Sequence, residues 1–131
     1  MPTVKGKRLL ENVADEFNKV LPSYYQIAPQ DGELSAYCVI SNANFSTIAD
    51  SSAGDLIFFS ADIYTNEMIE NASEELEELC EQLRNTFDGA TIYKANELGG
   101  HLGFESQYPV QESDTDINHR RQEWAARVFY N

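Results

Sequence analysis

The chain has 131 residues, and 22 acidic side chains against nine basic ones give it a formal net charge of −13. This balance excludes a protein that binds nucleic acid through a general basic surface, because neutralising phosphates needs clustered lysine and arginine. Apolar residues make up 42% of the chain and aromatic residues 11%, which excludes a disordered acidic tail. We therefore expect one folded domain spanning residues 1–131.

The first half of the chain predicts a helix followed by three strands. An apolar stripe at helical spacing runs from Leu9 to Leu21 and stops at Pro22. A long strand follows at 55–65, where strict alternation places Ile57 and Phe59 on one face. Aromatic and β-branched residues predict the other two strands, at 23–28 and 36–41, and the small polar residues of 42–54 predict a flexible hairpin loop.

The second half contains the strongest helical signal in the chain. Apolar residues from Leu76 to Phe87 form an unbroken stripe, Asn71 with Glu74 forms a cap, and Gly89 is placed to end the helix. Glycines and a proline predict that 97–120 is mainly a flexible loop, with a possible short strand near 104–110. Strands are predicted at 90–95 and 122–130. The fold class is therefore α+β: a mainly antiparallel sheet of five or six strands with two main helices packed on it.

The two cysteines and the hydropathy of the chain bear on its compartment. The chain begins with basic residues but shows no secretion signal, so Cys38 and Cys80 are expected to be buried thiols and not a disulfide. No apolar run approaches the ~18–20 residues that a membrane helix needs. We therefore expect no membrane partner.

Signals for catalysis or metal binding are weak. His101 and His119 are the only histidines, both in loop-like surroundings, and no Gly-x-Ser-x-Gly motif accompanies them. The segment from Asp114 to Asn118 imitates half of a calcium loop, but His119 stands where glycine is needed and Ala125 where a bidentate glutamate is needed. We expect no catalytic residue, no metal and no cofactor. A small enzyme that uses one of the histidines stays an open alternative.

Charge is the other conspicuous feature. Seven acids and no base lie between residues 67 and 81, which indicates either a solvated helix face or a surface that repels or imitates DNA. An acidic DNA mimic that inhibits a host nuclease or DNA-binding protein is therefore a second hypothesis. Six of the nine bases lie near the two ends of the chain, a bipolar distribution that suits docking between copies. They are Lys5, Lys7, Arg8, Arg120, Arg121 and Arg127.

The order of elements resembles the tail terminator, or tail completion, proteins of long-tailed bacteriophages. The resemblance covers residues 5–130. In that family a long strand ending in a D-x-Y-like segment leads into a helix, and the chain closes on a strand with alternating apolar residues. The residues that carry it are Tyr37-Cys38-Val39-Ile40, the segment from Ile57 to Thr65, the helix from Ala72 to Phe87, Thr91-Ile92-Tyr93 and the segment from Arg121 to Tyr130.

This resemblance implies a structural virion protein without an active site. It implies a ring, expected to be a hexamer, that caps the tail tube at its head-proximal end and joins it to the head–tail connector. The protein would reside in the tail or neck of the virion, and in the host cytoplasm during assembly, and DNA would pass its acidic lumen without specific binding. Adaptor and stopper proteins of the neck remain neighbouring alternatives. The residues expected at contacts are Lys5, Lys7, Arg8, Phe45, Asp50, Asp55, Glu112, Asp114, Asp116, Arg120 and Arg121.

Overall fold

A computed structural model describes residues 3–27, 36–47, 55–66, 71–93, 99–111 and 117–129. Six strands form one sheet in the order β1-β2-β3-β6-β5-β4. The β1–β2 pair is parallel and the other four pairs are antiparallel, so the predicted α+β class is confirmed. The elements are α1 (Thr3–Phe17), β1 (Ser23–Tyr25), β2 (Ala36–Thr47), β3 (Asp55–Asn66), α2 (Ala72–Phe87), β4 (Thr91–Ile92), β5 (Gly99–Pro109) and β6 (Ile117–Phe129).

Both helices pack on the same face of the sheet, and the core lies between them and the strands. α1 lies against β1 and β2, whereas α2 lies against β3 and β6. Alternate residues of β3 point to this helix-covered face, and Ile57, Phe59, Ala61 and Ile63 are all buried, as the alternation predicted. Trp124 of β6 is fully buried beneath them. We call the opposite surface the outer face of the sheet.

α2 has the bounds that the sequence predicted, but it lacks the predicted side-chain cap at its N-terminus. Asn71 has left-handed backbone angles (φ 59°, ψ 39°) and makes no side-chain cap hydrogen bond. A side-chain cap requires extended angles at that residue, so the predicted Asn71–Glu74 cap is wrong. The hydroxyl of Thr65 donates to the carbonyl of Ala72 over 3.0 Å, which ties the start of the helix to β3 without capping its N–H groups. Gly89 has φ 82° after the last turn, as the sequence predicted.

Two segments predicted as loops lie partly in strands. Residues 42–47 extend β2 and pair with β3, while 48–54 lie outside the described residues. Within 97–120, residues 99–109 form β5 and 117–120 begin β6, while 112–116 lie outside the described residues. The glycines that indicated a loop are needed for packing: a Cβ on Gly99 would lie 2.2 Å from the ring of Phe129, and one on Gly100 would lie 3.2 Å from Leu9.

Other boundaries differ by a few residues. α1 starts at Thr3 and includes Lys5, Lys7 and Arg8, although cations are disfavoured at a helix N-terminus. The helix ends at Phe17, and residues 18–20 form a hydrogen-bonded turn before Pro22. β1 is three residues long and β4 is two. Both are edge strands with one neighbour each, so they are held by fewer backbone hydrogen bonds than the central strands are.

Both thiols are free and buried, as the sequence predicted. Burial, together with the nearby Glu77 carboxylate, raises the pKa of Cys80 to about 12. Burial likewise raises the pKa of Cys38 far above its usual value. Because the thiolate is the reactive form, we expect neither thiol to react with an aromatic disulfide reagent at pH 8 in the native protein, and both to react in denaturant. Rapid titration of one thiol in native buffer would contradict this expectation.

Candidate assembly surfaces

A polar network lies at the centre of the outer face. The side chains of Asp62 in β3 and of His119 and Arg121 in β6 point to this face, because Asp62 is directly opposite Arg121 in the antiparallel register. Nε2 of His119 lies 2.7 Å from Oδ1 of Asp62, and Nε of Arg121 donates to the same oxygen over 2.7 Å. Asp62 and His119 are both buried. The carboxylate therefore holds two nitrogen groups that are 57 and 59 residues away in sequence.

The network shifts the pKa of its members in opposite directions. Burial by itself raises the pKa of Asp62, but hydrogen bonds from His119 and Arg121 outweigh it, and the net pKa lies below the usual value. The hydrogen bond to Asp62 raises the pKa of Arg121. Since an ionised carboxylate only accepts hydrogen bonds, the shared proton belongs on Nε2 of His119.

A second carboxylate continues the network along β6. The hydroxyl of Tyr108 donates to Oε1 of Glu123 over 2.6 Å, and the hydroxyl of Ser60 donates to Oε2 over 3.2 Å. The bond to Glu123 raises the pKa of Tyr108. Both carboxylates of this network therefore accept hydrogen bonds from side chains of the same sheet.

Three stacked rings cover one end of the network. Tyr37 stacks on Tyr64 with ring centroids 4.8 Å apart, and Tyr64 stacks on His119 at 4.2 Å. The rings come from β2, β3 and β6, so the stack crosses three strands. His119 lies in a strand and is buried, which corrects its predicted loop-like surroundings.

The β4-edge patch consists of Tyr93, His101, Arg127 and Phe129 on the outer face. Phe129 lies 5.0 Å from His101 and 6.3 Å from Tyr93, centroid to centroid. Tyr93 is 59% exposed, and Arg127 is directly opposite His101 and exposed. Nδ1 of His101 lies 2.8 Å from the hydroxyl of Thr91 at the sheet edge. The patch therefore offers exposed aromatic surface beside a cation.

The patch makes Gly99 sensitive to substitution. A methyl group there would overlap the ring of Phe129, so Gly99→Ala is expected to destabilise the fold by about 1–2 kcal/mol and to alter the near-ultraviolet circular dichroism of the aromatic residues. Gly103→Ala is the matched control in the same strand, because its Cβ would meet only the Ala125 carbonyl oxygen, at 4.0 Å. Equal urea midpoints for the two variants would contradict this prediction.

A groove of about 470 Å³ lies at the opposite edge of the sheet, between α1 and β1; we call it the β1 groove. Glu11 and Asp15 line its helix side, and Tyr25 and Ile27 line its strand side. Burial and the Glu11 carboxylate raise the pKa of Tyr25, which reflects the negative potential in the groove. Ile27 is 73% exposed. The groove therefore combines acidic walls with an exposed apolar side chain.

The backbone beside the groove is partly closed to strand pairing. The Ser23 amide donates to Oδ1 of Asn18 over 3.0 Å, and the Ile27 amide donates to the Tyr25 carbonyl over 2.9 Å. The second bond encloses Gln26, whose φ of 69° is in the left-handed region that a non-glycine residue rarely adopts. These two bonds occupy the Ser23 amide and the Tyr25 carbonyl, which would otherwise be open to pairing with another strand.

The exposed face of α2 is strongly acidic. The helix carries Glu74, Glu75, Glu77, Glu78 and Glu81 against one arginine, and all five glutamates are exposed. Glu77 accepts from Nε of Arg120 over 2.9 Å. The other four carboxylates are exposed to solvent, so this face is a solvated carboxylate surface.

The structure places the eleven sequence-predicted contact residues in different regions. Arg120 points to the helix-covered face and Arg121 to the outer face, since consecutive strand residues alternate, so the two do not form one patch. Arg8 is exposed on α1. The remaining positions are described only by backbone or lie outside the described residues. Lys5 and Lys7 are in α1, Phe45 is in β2, Asp55 begins β3, and Asp50, Glu112, Asp114 and Asp116 lie outside the described residues.

Sequence reasoning missed the contact of Asp62 with His119 and Arg121, and missed both edge surfaces. Alternation along β3 places Asp62 on the face opposite the core, but no local signal indicates which distant residues meet it. Among the described residues no group of three or more histidine, cysteine or acidic side chains is arranged to hold a metal ion. Within the same residues no helix is long and apolar enough to cross a membrane.

No family model and no curated protein matches this chain. Solved structures do share its fold. A chain from the virion of a native gene transfer agent particle superposes with a TM-score of 0.66 at 14% identity, over 86% of this chain and 83% of that chain. A second solved protein superposes with a TM-score of 0.54 at 15% identity, over 98% and 94% of the two chains. At these identities the likeness establishes a common fold.

Proposed function

We propose that this chain is a structural protein of a phage-type virion and, within it, the tail terminator. In this role, copies of the chain form a ring, expected to be a hexamer, on the head-proximal end of the tail tube and join the tube to the head–tail connector. The observation that carries the proposal is the fold shared with a chain of a gene transfer agent virion over most of both chains. The order of elements that resembles tail terminators adds to it.

The surfaces of the protein support an assembly role more than a catalytic one. The polar side chains of the outer face are hydrogen-bonded to one another, with Asp62 held by His119 and Arg121 and Glu123 held by Tyr108. Such contacts stabilise a sheet, and Asp62 and His119 are buried, which limits the access of a substrate to either group. We therefore propose that the protein is not an enzyme, that it needs no cofactor, and that it acts by contact with tube and connector proteins.

The acidic face of α2 suits a ring through which DNA passes. Glu74, Glu78 and Glu81 recur at the i, i+4, i+7 spacing that shares one side of a helix. If this side faces the lumen, phosphates are repelled and the genome slides without adhering. The same carboxylates support the second candidate, a DNA mimic that blocks a host nuclease or DNA-binding protein.

The test is electron microscopy of the purified chain, alone and mixed with tail tubes that lack a terminator. We expect rings in negative stain, a hexamer by native mass spectrometry, and density on one end of each tube. A monomer at high protein concentration in both low and moderate salt, together with uncapped tubes, would contradict the proposal. Capture of a nuclease from host lysate, with no tail protein captured from phage lysate, would favour the DNA mimic instead.

A further inference from the structure

We propose that the subunits dock head to tail, with the β4-edge patch of one copy seated in the β1 groove of the next. This inference rests on the proposed ring and names the two surfaces that would build it. A closed ring needs a heterologous interface, in which two different patches of the same chain meet. The two surfaces lie at opposite edges of one sheet, because β1 and β4 are the first and last strands in its order.

An exposed large hydrophobic side chain lies at each of the two sheet edges, beside β1 and beside β4. The two most exposed large hydrophobic residues of the described structure are Ile27, at 73%, and Tyr93, at 59%. Ile27 lines the groove, and Tyr93 belongs to the patch. Burying a large apolar side chain is favourable, so the exposure of one at each edge favours a contact that covers both.

The charges of the two surfaces are complementary. Glu11 is exposed at the groove, whereas Arg127 is exposed at the patch. Copies at −13 each repel one another, so association needs a local pairing of opposite charges. Tyr24 and Tyr25 also line the groove and offer ring faces to an arginine.

The geometry favours side-chain docking over extension of the sheet. The Ser23 amide and the Tyr25 carbonyl, two groups at the β1 edge, are already bonded to Asn18 and Ile27. A neighbouring strand therefore finds this edge partly blocked. Because the groove lies on the helix side of β1 and the patch on the outer face, the edges of two copies overlap when they dock.

The experiment uses two single substitutions that each spoil one surface. Ile27→Asp places a charge at the groove, and Tyr93→Asp places one at the patch; both side chains are exposed, so the fold is expected to persist by circular dichroism. Sedimentation velocity should show the wild-type chain as a ring and each variant as a monomer, with the dissociation constant raised at least about 30-fold. Asn85→Asp, which adds the same charge on the exposed part of α2, is the matched control and should assemble as the wild type does.

Mixing the two variants is the decisive measurement. The Ile27→Asp subunit keeps its patch and the Tyr93→Asp subunit keeps its groove, so an equimolar mixture should form one-to-one heterodimers that cannot close into rings. Monomers in the mixture, or either variant alone assembling like the wild type, would overturn the docking while leaving a wild-type ring and the proposed function intact. A wild-type chain that never associates overturns the docking, and the proposed function falls only if tube ends also stay uncapped.

A charge exchange provides a second, independent variant. Arg127→Glu and Glu11→Arg should each weaken assembly about tenfold, and the double variant should recover most of that loss because the pair is restored with its signs reversed. Glu75→Arg is the control for Glu11→Arg, since it makes the same charge change at an exposed site on α2, which contributes no residue to the groove or the patch. No recovery in the double variant would show that these two residues do not face each other across the contact.

Discussion

Asp62→Ala is expected to destabilise the protein by about 3–5 kcal/mol, because it leaves the His119 ring and the Arg121 guanidinium without their shared carboxylate. Domains of this size are stable by about 5–15 kcal/mol, so the loss is a large fraction of the total. Urea unfolding followed by tryptophan fluorescence measures it. Glu16→Ala is the control, since the Glu16–Lys19 pair is exposed and should contribute under about 1 kcal/mol. Similar midpoints for the two variants would contradict the role assigned to Asp62.

The same carboxylate predicts a dependence of stability on pH. The pKa of Asp62 is lower in the folded than in the unfolded protein, so its contribution is fully present above the unfolded value of about 3.9 and is lost as the pH falls through the folded value. The difference in unfolding free energy between the wild type and Asp62→Asn should therefore shrink as the pH falls below about 4. A difference that stays the same down to pH 2 would contradict this account.

Trp124→Ala is expected to cost about 3–5 kcal/mol, comparable to the loss at Asp62. The indole is fully buried and its ring meets Phe17 at 5.7 Å, Phe104 at 5.5 Å and Phe59 at 6.2 Å, centroid to centroid. Its removal would leave a cavity where α1 and the strands β3, β5 and β6 meet. Circular dichroism against urea is the measurement, because the chain has no other tryptophan to report by fluorescence.

A smaller substitution separates the two contributions of Trp124. The indole N–H donates to Oε1 of Gln122 over 3.1 Å, and Nε2 of Gln122 in turn donates to the Cys80 carbonyl of α2 over 3.0 Å. Trp124→Phe keeps most of the ring contacts and loses this bond, so about 1–2 kcal/mol should be lost. If Trp124→Phe and Trp124→Ala lower the free energy of unfolding equally, the stabilisation by Trp124 comes from its hydrogen bond and not from its packing.

The helices and the core face of β3 were predictable because their signals are local. The stripe from Leu76 to Phe87 repeats at the period of a helix, and the alternation from Ile57 to Ile63 repeats at the period of a strand. Both patterns depend only on neighbours within a few residues.

The second half of β5 overlaps the short strand predicted near 104–110, but its first half was not predictable, because the features that define it lie elsewhere in the chain. Gly99 and Gly100 indicated a loop, yet one accommodates Phe129 and the other accommodates Leu9. Without knowledge of its packing partners, a glycine in a sequence indicates a turn or a loop. Only its packing partners show that the missing side chain is the reason for a strand at that position.

The candidate surfaces divide in the same way. Composition and spacing determined the acidity of the chain, the apolar faces of two helices and a central strand, and the α+β class, because those properties are additive or periodic along the sequence. The tertiary structure decided that Asp62 meets His119 and Arg121, that Arg120 and Arg121 face opposite sides, and that Ile27 and Tyr93 mark opposite edges. The physical reason is strand register, which the packing of the whole sheet selects and which brings together residues more than fifty positions apart.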